Sequence, residues 1–189
     1  MQAHALTSLD DALAAVLAQA QRLDGPESVD LFAADGRVLW ADCVSALQVP
    51  PQDNSAMDGY ALRLADVAAL GVVLPVSQRI PAGHVGTDLA PGTAARIFTG
   101  APVPPGADCV LMQEDCEAVQ NADGSTSVRI HAQPKPGQHI RRAGEDIALG
   151  GRILAAGTRL TPPALGLAAS IGLAQLPVAR KPRVALFST

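Results

Sequence analysis

Near the start of the chain, Leu9, Leu13, Val16, Leu17 and Ala20 recur at helical spacing behind Thr7 and Ser8. That period predicts an amphipathic helix, with Ser8 as its N-cap and Asp11, three residues on, completing a capping box with the shorter acid. Gly25-Pro26 is the stop signal. A helix with such a stripe must bury it against something. From Glu27 to Phe32 the pattern changes to alternation, Val29 and Leu31 against Ser28 and Asp30, which predicts a short strand. Ala33 to Trp40 contains Asp35-Gly36 and reads as a turn with a short helix. Val44 to Val49 is extended and delivers the chain to Pro50.

After Tyr60 the pattern is mostly β. Val72 to Ser77, Ala94 to Thr99, Cys109 to Gln113 and Ser127 to Ala132 are short apolar or β-branched runs separated by Gly, Pro or Asp turns. Prolines at 75, 81, 91, 102, 104 and 105 keep these strands short or push them to edges. Asn121-Ala122-Asp123-Gly124 predicts a hairpin turn between Glu117–Val119 and the strand that follows. Leu62 to Leu70 is the one stretch here with a helical reading. Gly151 to Leu160 gives two extended pieces around a glycine turn. Thr161-Pro162 then opens a helix, threonine as N-cap and proline at the first helical position, with Leu165, Ala168, Ala169 and Ile171 inward and Gly172 at its end. Leu176–Val178 and Arg183–Phe187 are predicted strands. The expected fold is mainly β with a few helices (α+β), its strand-rich middle a small barrel or sandwich.

Composition narrows the class. A chain of 189 residues holds one ordinary domain or two small ones. At 48% hydrophobic but only 3% aromatic, its core must be built from Ala, Val, Leu and Ile. The formal net charge of -4 argues against nucleic acid as a partner. No run approaches the roughly 20 apolar residues of a membrane span, and the N-terminus lacks the basic and apolar regions of a signal peptide. Cys43, Cys109 and Cys116 form no CxxC and read as reduced core residues of a cytoplasmic protein. The histidines at 4, 84, 131 and 139 do not cluster, which makes a zinc site improbable.

The stretch most suited to chemistry is Pro50-Pro51-Gln52-Asp53-Asn54-Ser55-Ala56-Met57-Asp58-Gly59-Tyr60. Two prolines end what precedes it. Asp53 and Asp58 bracket an amide and a hydroxyl, Asn54 and Ser55 can bond back to their own backbone, and Gly59 permits a positive φ. Such a polar loop between apolar segments is either a solvated turn or a site.

The string Asp53 to Ala61, DNSAMDGYA, resembles the signature of the molybdopterin molybdenumtransferases, the MoeA family that includes the E-domain of gephyrin. Phe98 to Asp108 resembles the family's TGAPxPxGAD segment, Met112-Gln113-Glu114-Asp115 follows at the family's spacing, and Ile140 to Ile147 resembles its IRxxGEDI segment. The stretch from Ala156 through Ile171-Gly172 to Arg183–Thr189 is similar as well. The resemblance implies an N-terminal helix (1–26), a β-rich host and dimerisation domain (27–45 plus 147–178), an inserted β domain (46–146) and the first strand of an α/β domain (179–189). The family sequence continues beyond the equivalent of Thr189, so the resemblance implies the front half of a longer enzyme, inactive by itself. Residues 1–24 and 180–189 are then expected to be poorly ordered or held by a neighbouring molecule.

Family members insert molybdenum from molybdate into adenylylated molybdopterin and release AMP. The resemblance implies Asp58, Thr99 and Asp146 as catalytic residues, Asp58 and Asp146 as Mg²⁺ ligands, and Arg141, Arg142, Asp53 and Ser55 at the substrate. Carboxylates would repel these polyanions unless a divalent cation stood between them, whereas Arg141 and Arg142 suit phosphate. Thr99 offers a hydroxyl and nearby N–H groups to an anion. Structural roles remain open beside these: Asp146 capping the turn before Ile147, Arg141 and Arg142 as solvated charges, Asp53 with Asn54 shaping the loop, Tyr60 in packing, Glu114 and Asp115 at a rim or strand end. The implied partners are a second copy, as homodimer, with molybdopterin-adenylyltransferase and molybdoenzymes. The other reading is a non-catalytic dimerisation or scaffold module, gephyrin-like in role.

Overall fold

The computed structural model describes residues 7–21 and 24–186. In chain order these form α1 (Leu9–Ala18), β1 (Pro26–Asp30), β2 (Cys43–Val44), β3 (Asn54–Ser55), β4 (Gly59–Leu62), β5 (Val73–Ile80) and β6 (Ala94–Ile97). There follow β7 (Cys109–Met112), β8 (Cys116–Gln120), β9 (Thr126–Ile130), β10 (Ile140–Arg141), β11 (Arg152–Leu154), α2 (Pro162–Ser170) and β12 (Gln175–Ala179). Two compact units result, residues 1–43 with 152–189, and residues 44–151. The sequence reading set the insertion at 46–146.

In the first unit β1 and β12 pair antiparallel, Pro26 opposite Ala179 and Asp30 opposite Gln175. Leu39, Leu160, Leu176 and Val178 are fully buried in this unit, with Ala34 and Ala168 beside them among its buried residues. Arg37 donates to Glu27 and, at 2.6 Å, to the carbonyl of Ala179, so one guanidinium ties both strands. The turn read at Asp35-Gly36 follows a 3-10 turn at Leu31–Ala34. Helix α2 has proline at its start as expected, but the Thr161 side chain makes no capping hydrogen bond. Threonine there supplies only the extended backbone that precedes a helix, and Pro163, at the second helical position and without an N–H, removes one of the two donors a cap would serve.

Helix α1 is capped as the sequence implies, Ser8 Oγ accepting from the Asp11 N–H at 3.1 Å. Asp11 does not reach back to the Ser8 backbone; its carboxylate accepts the Ser8 hydroxyl instead, at 2.6 Å, because the shorter acid falls one carbon short of the reach of glutamate. No residue of α1 is buried, and the Leu9, Leu13, Val16 and Leu17 stripe is exposed. The expectation of poor order over 1–24 meets a regular helix at Leu9–Ala18; residues 1–6 and 22–23 lie outside those described. The strand expected at Arg183–Phe187 is a correction. Residues 183–186 have no strand, since a strand persists only where a neighbour takes its hydrogen bonds and none does so among the described residues; 187–189 lie outside them.

The second unit is built on a curled sheet in the order β7-β4-β6-β5-β9-β8. β4 pairs antiparallel with both β6 and β7, and β5 runs parallel to β6. The hairpin read from Asn121–Gly124 joins β8 to β9, with Gln120 opposite Thr126. Every residue of β4 is buried. Tyr60 and Leu62 face one cluster with Leu74, Leu111, Val128 and Ile130, while Ala61 faces another with Ile80, Ala95, Ile97 and Val110. A strand covered on both faces reads as a continuous small-and-apolar run, not an alternation.

Gly59 heads this strand, and the sequence reading misjudged why it is glycine. Its φ is not positive. A Cβ built there would lie 1.8 Å from the Leu111 carbonyl oxygen, so the absence of a side chain is what lets β4 and β7 meet. Gly166, inside α2, has open space around its Cβ direction. Gly59→Ala is therefore expected to destabilise the fold by about 3 kcal/mol or more, a backbone clash being among the largest single-residue effects. Gly166→Ala should instead stabilise by about 0.5–1 kcal/mol through helix propensity. Urea unfolding of both variants checks the opposite signs.

Candidate functional site

Asp58 is the last residue before β4, and Thr99 follows β6 by two positions. The register that sets Gly59 opposite Ile97 brings the two together. Asp58 Oδ1 accepts from the Thr99 N–H and from its hydroxyl, both at 2.8 Å. The anion that Thr99 holds is thus the carboxylate of Asp58. The Thr99 N–H, then its hydroxyl, and more weakly the charge of Arg96 hold the Asp58 carboxyl below its ordinary value of 3.8. Arg96 donates to the Gly59 carbonyl at 3.0 Å and to Gln113 Oε1 at 2.7 Å. The Gln113 N–H in turn donates to the Asp58 carbonyl at 3.0 Å.

Asp53 is clamped from across the loop. Its Oδ1 accepts from the Ala143 N–H at 2.9 Å and its Oδ2 from Arg142 at 2.5 Å, and these bonds, the backbone one first, lower its carboxyl as well. It therefore shapes the loop by gripping the 140s segment, across 89 and 90 positions of sequence. Arg141 pairs with Asp146 and stands 3.5 Å from Glu145, and the Asp146 bond raises its already high pKa. Ser55 is 1% exposed. Its hydroxyl donates to the Met57 carbonyl at 2.6 Å, which folds the loop back on itself as its residue type suggested.

Continuous backbone bonding joins these groups. β3 pairs with β10, Ser55 opposite Ile140 and Asn54 opposite Arg141. The Gly100 N–H donates to the Ser55 carbonyl at 2.8 Å, and the Ser55 N–H to Ala101 at 2.9 Å. One hydrogen-bonded patch of the second unit thus holds Asp53, Ser55, Asp58, Thr99, Arg141, Arg142 and Asp146. Arg79, Arg96 and Phe98 were not among the residues singled out from the sequence. Arg79 and Arg96 face each other across β5 and β6, and both guanidinium groups lie over the Phe98 ring, at 4.5 and 4.6 Å from its centroid. The available signal was an arginine inside the short buried run Ala94–Ile97.

Among the described residues no three His, Cys, Asp or Glu side chains converge as a metal centre. Cys109 and Cys116 are pushed up to about 12, mainly by burial, so neither supplies a thiolate nucleophile at neutral pH.

Because Asp58 and Asp53 have lowered folded-state pKa values, what their ionised forms add to stability is present above about 3.8 and is lost as pH falls through the lower folded values. Thr99→Val removes the hydroxyl bond but keeps the N–H bond. The Asp58 titration should then move up toward 3.8 without reaching it, as read by carboxyl ¹³C shifts against pH. An unmoved titration would deny the hydroxyl its role.

The family model described as the MoeA N-terminal region (domain I and II) matches residues 7–172. Molybdopterin molybdenumtransferase 2 of Mycobacterium tuberculosis is 46% identical over 179 residues, which cover 92% of this chain and 43% of that protein. Molybdopterin molybdenumtransferase of a Nostoc species is 44% identical over 168 residues, 86% of this chain and 37% of that protein. The crystal structure of the molybdopterin biosynthesis moeA protein from Pyrococcus horikoshii superposes with a TM-score of 0.83 at 34% identity, covering 92% of this chain and 46% of that one. The chain spans less than half the length of each of these relatives. On the extent and identity of these matches, the chain belongs to the MoeA family, and what it carries is that family's N-terminal region.

Proposed function

We propose that this chain forms the N-terminal part of a molybdopterin molybdenumtransferase, which moves molybdenum from molybdate into adenylylated molybdopterin and releases AMP. The observation that carries this reading is the Asp58–Thr99 pair. A carboxylate fixed by two neutral donors stays ionised and keeps a defined direction, with Oδ2 clear of both bonds.

Mg²⁺ is usually held by one or two carboxylates together with phosphate oxygens and waters. Asp58 and Asp146 fit that donor set, each meeting its protein partner through Oδ1. When bound, the ion would offset the phosphate charge that these carboxylates otherwise repel. Arg141 and Arg142 act chiefly as struts in this proposal. They hold Asp146 and Asp53 in place, and substrate oxygens reach only the donors left over. Ser55 serves the substrate by holding the loop that presents Asp58.

A homodimer is proposed on a separate observation in the first unit. Leu31, Phe32, Pro162, Leu165 and Ala169 line an apolar hollow of about 280 Å³, with Phe32 95% exposed. An exposed apolar hollow of this kind supports the reading of an interface. Sedimentation velocity is expected to show a dimer that Phe32→Asp converts to monomer; an unchanged distribution would remove this face from the interface.

The experiment for the function is the intact mass of the expressed protein, then molybdenum insertion on the same sample with adenylylated molybdopterin, molybdate and Mg²⁺. A mass well above 19.3 kDa with activity, reduced about a hundredfold or more by Asp58→Ala, is expected. Insertion unaffected by Asp58→Ala would overturn the assignment of that residue.

A further inference from the structure

The second unit contains a cleft of about 470 Å³ that the groups above leave unused. Arg79 and Arg96 stand in its wall with Tyr60, Ser77, Ser125 and Thr126, and no Asp or Glu lines it. Its chemistry differs from that of the loop patch beside it. There each arginine meets a carboxylate, whereas among the described residues neither Arg79 nor Arg96 forms an ion pair.

The arrangement costs stability as it stands. Arg79 and Arg96 are direct register partners on adjacent strands, and like charges in that position repel. Stacking on Phe98 holds both guanidinium planes in place and offsets part of the repulsion. Arg96 is further fixed by the Gly59 carbonyl and Gln113, and its ring contact to Tyr60, at 5.2 Å, points it along the cleft wall. Of the carboxylates near this wall, Asp58 accepts from Thr99, and Asp123 accepts the Ser125 hydroxyl at 2.6 Å, which commits that hydroxyl before any ligand arrives. Arg79, with its whole donor fork open, and Arg96, with the N–H groups left over from Gly59 and Gln113, present two positive charges in a wall without a carboxylate, which suits the oxygens of a phosphorylated ligand.

We propose that the Arg79–Phe98–Arg96 cleft is a binding site for a diphosphate-bearing ligand, with the two guanidinium groups as its receptors. The inference deepens the reading above by giving the pyrophosphate linkage of the substrate a seat next to Asp58. It rests on that reading for the natural ligand, though not for the binding itself.

The test is titration of this chain with sodium pyrophosphate at fixed ionic strength, followed by amide ¹H–¹⁵N shifts. Saturable shifts are expected at Ser77–Arg79, Arg96–Thr99 and Ser125–Thr126. The Arg79 side chain makes no hydrogen bond among the described residues, so Arg79→Gln should leave the spectrum folded while weakening Kd about tenfold or more, the loss of a charge-assisted bond. Arg79→Lys keeps the charge without the fork and should fall between the two. Arg152→Gln, which removes an arginine of the first unit paired with Asp42, should leave Kd within about twofold, as for loss of a remote surface charge. Non-saturable shifts, an Arg79→Gln variant that binds like the parent, or an equal loss in Arg152→Gln would each overturn the site. Molybdenum insertion by the full-length protein that carries this region, the chain alone being expected to be inactive, separates the two claims. Full insertion with no effect of Arg79→Gln on pyrophosphate binding rejects the cleft alone, and Arg79-dependent binding without insertion rejects the transferase reading alone.

Discussion

The close passage of Gly59 against the Leu111 carbonyl is the constraint on which the second unit depends. β4 pairs with both β6 and β7, and it is covered by side chains on both faces. Its first residue must therefore present neither bulk nor polarity. With that approach in place, the register of β4 follows, and with it the address of every functional group at the strand's end. Asp58 leaves the sheet one residue before the contact, and Thr99 leaves it two residues beyond Ile97. Their hydrogen bonds are a consequence of Gly59 lying opposite Ile97. The geometry of the candidate site is thus set by packing below it.

The electrostatics above that frame divide by kind of partner. Asp58 is held by neutral donors and keeps its full negative charge toward solvent. Asp53 and Asp146 are held by arginines, and those pairs are solvated. Exposed ion pairs contribute little to stability, about 0–1 kcal/mol, so their value lies in register. Arg142 and the Ala143 N–H fasten the 50s loop to the 140s loop, and the two-residue ladder between β3 and β10 continues that seam. Asp53 and Asp58 are in this way fixed in direction by the fold itself.

Much of this was legible in the sequence, and the failures have physical causes. The β5, β6, β7 and β9 runs, the Asn121–Gly124 hairpin, the Ser8 cap and the start of α2 at Pro162 all follow from local pattern and turn chemistry. The role of Gly59 was not, because a close backbone approach between strands far apart in sequence leaves the same residue type as a positive φ. Arg183–Val184–Ala185–Leu186 reads as a strand by composition, but a strand is a property of a pair, and composition says nothing of the partner. The stripe on α1 was legible as a stripe; what covers it was not, and in the structure it is exposed. The seven candidate residues named from the loop motifs lie in one hydrogen-bonded patch, yet their pairing came only from the fold. The order of residues does not reveal that Thr99 answers Asp58 or that Asp53 reaches across to Ala143.

Arg79 and Arg96 illustrate what lies between pattern and pairing. Each is an ordinary basic residue in a short strand, and only the parallel register of β5 and β6 sets them opposite each other. An arginine that meets a carboxylate is electrostatically satisfied and serves as structure. An arginine that meets another arginine over a shared ring has no ion-pair partner, even where, as at Arg96, it donates to neutral oxygens, and the smallest change that supplies one is an anion. The same unit contains both arrangements on adjoining surfaces. Its architecture therefore keeps the arginines that are paired with carboxylates apart from those that are not.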